Sequence, residues 1–271
     1  MALLAWIIFF SAVGGIASAA FAGLFVLLPE VTGRRLLPHF VSYATGALLG
    51  AALLALLPEA MEGVGPDGAH GIGVALLVGL GIFFVIEKAV LWWHTHANGH
   101  VHNGHHDHDH EHGHHHHDHG RAAASGVLVI IGDSVHNALD GVLIAAAFLT
   151  NFPLGLLTTF AVAAHEIPHR VGDFALLVHS GMSRGRALVM NMATGLTSIL
   201  GAVAAYFGLQ RAIGALPYAL ALAAAGFLYI AVAGLIPALH RRADPRTSLA
   251  QVILMGLGVG TIAWAESLAH Q

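Results

Sequence analysis

The chain has 271 residues, 56% of them hydrophobic and only 10% charged, with a formal net charge of −4 when histidine is counted neutral. A soluble domain carries about 25% charge, so these charges are too few to cover a water-facing surface, and no basic excess points to nucleic acid. Cysteine is absent, which removes disulfides, thiolate metal sites and thiol nucleophiles together.

The 33 glycines, with abundant Ala, Leu and Val, suit membrane helices, which approach closely through small residues. A crossing helix needs roughly 20 mostly apolar residues. Such runs predict eight spans, over 3–28, 37–60, 71–92, 125–149, 153–179, 186–208, 214–239 and 249–268. The expected fold class is all-α, a polytopic membrane protein. Ala17-Ser18-Ala19 resembles a signal cleavage site, but no basic segment precedes it and the apolar run continues to Leu28, so a retained helix is expected. Lys and Arg in short loops report orientation. The loops after spans one, three, five and seven hold Arg34, Arg35, Lys88, Arg121, Arg184, Arg186, Arg241, Arg242 and Arg246, whereas the other side holds Arg211. This bias places both termini outside a cell membrane and the loop after span three in the cytoplasm.

Four segments follow from these runs. Spans one to three occupy 1–92, a His-rich disordered loop 93–120, a metal-binding helix pair 121–180, and spans six to eight 181–271. Residues 94–119 hold 14 of the 22 histidines, interleaved with Asp107, Asp109, Glu111 and Asp118. Such a stretch cannot build a packed core, and its imidazoles bind borderline divalent ions in many arrangements.

The sharper signal lies inside spans four and five. Span four reads Asp133-Ser134-Val135-His136-Asn137-Ala138-Leu139-Asp140-Gly141, and span five reads His165-Glu166-Ile167-Pro168-His169-Arg170-Val171-Gly172-Asp173. Ionisable groups at mid-membrane cost several kcal/mol unless they pair, face water or hold an ion. His136 and Asp140 share one helical face, with Asp133 a turn earlier, and His165, His169 and Asp173 form a second stripe. The stripes register, His136 with His165, Asn137 with Glu166, and Asp140 with His169. A tight turn at 151–153 would face them toward each other. Pro168 removes the backbone bond to Ala164 and predicts a kink. Interhelical hydrogen bonding alone would explain one such pair, but not seven ionisable groups.

These motifs resemble the ZIP (Zrt/Irt-like) family of divalent-metal transporters. His136-Asn137-x-x-Asp140-Gly141 is similar to the family's fourth-helix motif. His165-Glu166-Ile167-Pro168-His169, followed by Val171-Gly172-Asp173-Phe174, is similar to the fifth-helix motif of its histidine-rich branch. The resemblance implies transport toward the cytoplasm through a binuclear site, of Zn²⁺ foremost and of Fe²⁺ or Mn²⁺ in some members, and mixed imidazole and carboxylate without thiolate suits Co²⁺ and Cd²⁺ as well. His136, Asp140 and His169 would form one half, and Asn137, His165 and Glu166 the other, with Asn191 of span six a further candidate. Asp133, Asp173 and Glu59 would line the path or support the ligands. Arg170 stands where the branch usually carries glutamate, and Ala51 and Ala55 replace polar residues of close relatives.

The competing class is an intramembrane zinc protease. His165-Glu166-x-x-His169 matches the motif in which two histidines bind zinc and the glutamate activates water, with Asp140 as third ligand. Against it, the acidic motif precedes rather than follows this helix, and Pro168 interrupts the turn. The expected protein is thus no enzyme and carries no prosthetic group. Its partners are the transported ion and the lipid bilayer, with a homodimer left open. Spans 1–3 and 6–8 would flank the central pair as an inverted repeat. Gly46 and Gly50 on span two, and Gly256 and Gly260 on span eight, are the expected close-contact glycines.

Overall fold

The computed structural model describes residues 2–97, 117–240 and 245–269. Among them the chain is helical, in eight rods: α1 (2–26), α2 (30–64), α3 (Ala69–Ala97), α4 (His117–Thr150), α5 (Phe152–His179), α6 (184–210), α7 (216–240) and α8 (Pro245–Ala269). Each corresponds to one predicted span. The helices α3 and α4 run past the apolar stretch at both ends of the His-rich segment, because bilayer thickness limits the apolar run and not the helix itself. The rest of that segment, 98–116, lies outside the described residues.

Seven of the rods are long and apolar enough to cross a membrane. The other, α5, has 28 residues, about 42 Å of helix, but it carries His165, Glu166, His169, Arg170 and Asp173. Its position accounts for that polarity. It packs against α1, α2, α4, α6 and α8, so most of its surface meets protein and it needs no wide lipid-facing stripe. Around it, α4 lies along α6, α2 along α8, and α3 along α7. The centre is filled by small side chains, including Ala47, Ala51, Ala52 and Ala55 of α2, Ala145 to Ala147 of α4, and Ala221, Ala223 and Ala224 of α7. Outward faces are apolar too, as Leu77, Leu200, Phe207, Val252 and Trp264 illustrate. That distribution, apolar outside and small inside, is the one a bilayer requires.

Glycines let three helix pairs touch backbone to backbone. A Cβ at Gly141 of α4 would collide with the Ser198 carbonyl of α6, and one at Gly201 with the Ala138 carbonyl of α4. Gly15 and Gly195 join α1 to α6 in the same reciprocal way. Between α2 and α8 the pair is Gly46, against the Met255 carbonyl, and Gly258, against that of Tyr43. Gly50 meets the Ile262 side chain, while Gly256 and Gly260 have no atom within 4 Å of a built Cβ. The expected α8 glycines are therefore displaced by Gly258, two residues and about 200° away on the helix.

The helices α2 and α7 share one irregularity. Each loosens into a π-helical turn, Ala51–Leu56 and Ile230–Leu235, just before a proline, Pro58 and Pro237. Proline donates no N–H and crowds the preceding turn, and a wider turn accommodates it. Through Pro168, by contrast, α5 remains an unbroken helix.

Gly201→Ala is expected to destabilise the protein by about 1–3 kcal/mol, because the backbone it meets has no room to yield. Gly208→Ala on the same helix, with open space around it, should be neutral or stabilising. Thermal unfolding of the two variants in detergent compares them directly.

Candidate metal centre

The site is assembled by the turn between α4 and α5. Asn151 alone separates the two helices and is extended, with φ −155° and ψ 161°. Its Oδ1 accepts from the Leu154 N–H at 2.8 Å, capping α5, and Pro153 sits in the first turn, where its missing N–H costs nothing. The helices thus run antiparallel, and residues near 136–140 face residues near 165–169. Asn151 Nδ2 also donates to Glu59 Oε1 at 3.1 Å. That holds Glu59 at the turn, eleven residues beyond Asp140 and so about 16 Å along the helix from it. Glu59 stands apart from the centre.

Four of the expected ligands converge. His136 Nε2 lies 3.4 Å from His165 Nε2, 3.5 Å from Glu166 Oε1 and 3.8 Å from Asp140 Oδ2. His165 Nε2 lies 3.6 Å from Asp140 Oδ2 and 3.8 Å from Glu166 Oε1. Donors bound tetrahedrally at 2.0–2.1 Å stand about 3.3 Å apart, so slight contraction suits these four to one ion. Asp140 Oδ2 and Glu166 Oε1 are buried and receive no hydrogen bond, a costly state for carboxylate oxygens unless a cation meets them. His165 Nδ1 lies 3.1 Å from the Ala161 carbonyl. A carbonyl only accepts, so the proton sits on Nδ1 and the Nε2 lone pair faces the cluster.

The other expected residues form an adjoining network. His169 turns away from His165. Its Nδ1 pairs with Asp173 Oδ2 at 2.8 Å, and its ring stacks on His136 with centroids 5.1 Å apart. Asp133, His169 and Asp173 bring donor atoms within 4.8 Å of one another. Asn137 Nδ2 donates to the Asp133 carbonyl at 2.7 Å and to its Oδ1 at 2.9 Å. Asn191 Nδ2 donates to the Arg170 carbonyl at 2.9 Å. The carbonyl oxygens of both asparagine side chains accept from the Arg170 guanidinium.

Arg170 is fully buried and sits at the hub of that network. Its Nε donates to Glu166 Oε2 at 2.8 Å, and its Nη1 to Asp133 Oδ2 at 2.7 Å and to Thr194 Oγ1 at 2.5 Å. Spacing hinted at one of these contacts, since Glu166 and Arg170 are an i,i+4 pair of opposite charge. Thr194 carried no such signal.

A cavity of about 380 Å³ reaches the cluster between α3, α4, α5 and α7, lined by Asp133, His136, His169 and Asp173 together with Glu87 and Tyr229. Tyr229 donates to Glu87 Oε2 across it. His136 keeps 20% of its side-chain surface exposed, whereas His165 keeps 1%. The cluster is therefore reached past His136.

The chain matches the family model described as ZIP Zinc transporter over residues 3–265. It belongs to the ZIP zinc transporter family. It is 31% identical to zinc transporter ZIP13 of Homo sapiens over 265 residues, covering 86% of this chain and 71% of that one. Zinc transporter ZIP13 of Danio rerio is 40% identical over 141 residues, covering 51% and 40% of the two chains. Zinc transporter ZIP4 of Homo sapiens is 42% identical over 120 residues, covering 44% and 18%. The chain thus spans well under half the length of two of these relatives. As a ZIP family member it is a multi-pass membrane protein. The proteolytic alternative finds no support, either in these matches or in geometry. A protease motif puts both histidines on one ion, whereas His169 here pairs with Asp173.

Removing one partner of a buried charge pair leaves the other uncompensated, at a cost of about 3–5 kcal/mol. Asp133→Ala is expected to lose stability on that scale. Asp173→Ala, whose partner His169 is 40% exposed, should lose less. Unfolding midpoints in detergent are the measurement.

Proposed function

We propose that this chain carries divalent transition-metal ions, Zn²⁺ foremost, into the cytoplasm through a centre of His136, Asp140, His165 and Glu166. The observation that supports this most strongly is the pair of buried carboxylate oxygens, Asp140 Oδ2 and Glu166 Oε1, aimed without donors at two imidazole nitrogens. Two imidazoles and two carboxylates without thiolate suit Zn²⁺, and also Fe²⁺, Mn²⁺, Co²⁺ and Cd²⁺, better than Cu⁺ or Mg²⁺. The matched relatives are themselves named zinc transporters.

In this reading all eight rods cross a cell membrane, with both termini outside and the His-rich loop in the cytoplasm. The cavity then faces the cytoplasm, because its lining lies toward the C-terminal end of α3, from which the His-rich segment continues. At the opposite end an aromatic cluster packs beside the α4–α5 turn. Phe148 lies 5.2 Å from Phe10 and 5.4 Å from Phe152, and Trp6 lies 5.8 Å from Phe152. One side open and one side packed is the arrangement of a single state of alternating access about a midplane site. An inverted repeat of spans 1–3 and 6–8 draws support from the packing. Exchanging α1 with α6, α2 with α7, α3 with α8 and α4 with α5 turns the α4–α6 contact into α5–α1, and α2–α8 into α7–α3, all of which occur. The shared π-helical turns before Pro58 and Pro237 fall on exchanged helices.

Zinc uptake into proteoliposomes tests the reading. Wild-type protein should accumulate Zn²⁺, and Asp140→Ala and His165→Ala should each reduce uptake more than tenfold while remaining folded in the membrane. Normal uptake by both variants would reject the site. Deleting residues 96–118 should preserve uptake, since the stretch lies beyond the four ligands. Complete loss of uptake by an inserted deletion variant would show that the loop belongs to the path.

A further inference from the structure

The proposed transport site leaves one buried group without a part to play. Arg170 has no exposed surface, and a charge at that depth persists only where its environment replaces water. The replacement is unusually complete. Six oxygens from three helices converge on the guanidinium: Asp133 Oδ2 and Asn137 Oδ1 from α4, Glu166 Oε2 from α5, and Asn191 Oδ1, the Asn191 carbonyl and Thr194 Oγ1 from α6. Four of them gather on Nη1 alone, between 2.5 and 2.9 Å. An all-oxygen shell that includes two carboxylates is the donor set of a divalent cation. Here a side chain occupies it.

We infer that Arg170 is a resident cation filling a second cation position beside the transport site, so that this centre holds one metal ion and not two. Glu166 joins the two positions. Its Oε1 faces the imidazoles of His136 and His165, and its Oε2 holds the guanidinium. Formal charge agrees with a single ion. The carboxylates in contact with the guanidinium or the four-donor centre, Asp133, Asp140 and Glu166, face one guanidinium, and one divalent ion neutralises the remainder. A second ion would add uncompensated charge to a site screened from water. The asparagines follow the same logic, since an amide oxygen already accepting from Arg170 is not offered to a metal.

This inference rests on the reading that the four-donor centre binds the transported ion. Anomalous diffraction from crystals of the full-length chain grown with Cd²⁺ tests it. Within the helix bundle the wild type should show one peak, among His136, Asp140, His165 and Glu166, with the guanidinium still on Asp133 and Glu166. Arg170→Ala, which empties the oxygen shell, should show a second peak among Asp133, Asn137 and Glu166. Two peaks in the wild type, or a folded R170A with one, would overturn the inference. Should R170A fail to fold, the wild-type count decides alone. Cd²⁺ uptake by wild-type proteoliposomes separates the two readings. Two ions with normal uptake reject the ion count and leave transport standing, whereas one ion without uptake rejects transport and leaves the count.

Discussion

A guanidinium buried at mid-helix dictates where three helices must stand. Arg170 is too deep to reach water along its own stem, so every nitrogen has to be met by protein. Its partners come in pairs one helical turn apart, Asp133 and Asn137 on α4, Glu166 and Arg170 itself on α5, and Asn191 and Thr194 on α6. A pair at that spacing sets the rotation of its helix as well as its height. The glycine contact continues the same seam. Gly141 follows Asn137 by one turn and Ser198 follows Thr194 by one turn, and there the two backbones touch. Polar bonding and close packing thus act along one line. Without the glycines, α4 and α6 would stand too far apart for both to reach the same guanidinium.

The ion centre depends on that hub through one residue. Glu166 divides its carboxylate, with Oε2 fixed by Arg170 and Oε1 left for the cluster. Fixing one oxygen removes rotamer freedom that a long side chain would otherwise lose on binding, and it orients the free oxygen as groups beneath metal ligands do. His165, next along α5, is oriented separately through its Nδ1 bond to Ala161. Two of the four donors are therefore held before any ion arrives.

The helix pair, its turn and the facing of its polar stripes were all legible in the chain, because each follows from short-range spacing. Asn151 and Pro153 announce a cap, and the i,i+4 repeats announce facing stripes. The choice between His165 and His169 was not legible. Both lie on one stripe of α5, and spacing alone cannot say that the first points to Phe227 of α7, at 6.1 Å, while the second turns to Asp173. Asn137 and Asn191 could not be placed for a related reason. An amide oxygen suits a metal or a guanidinium equally, and the direction of the Arg170 side chain decides. The α8 glycines show the limit in its simplest form, since glycines two apart lie on opposite helix faces and only the neighbour, α2, distinguishes them.

The polar residues beyond the four donors form a graded path in the proposed transport. From the buried cluster toward the cavity, α5 offers His165, His169 and Asp173, and α4 offers Asp140, His136 and Asp133, each step three or four residues long. Exposure rises from 1% at His165 to 20% at His136 and 40% at His169, and falls again at Asp133 and Asp173, which are buried. An ion leaving full coordination would otherwise meet mainly apolar side chains of α3 and α7, Glu87 and Tyr229 apart, before it met water, at a prohibitive cost in desolvation. His136 and His169 instead present further imidazoles before the previous donor is out of reach, while Asp133 is held by Arg170. In the proposed transport the four-residue repeat that first marked these helices in the chain would thus have a continuous use, since the face that assembles the ligands would also line the way out.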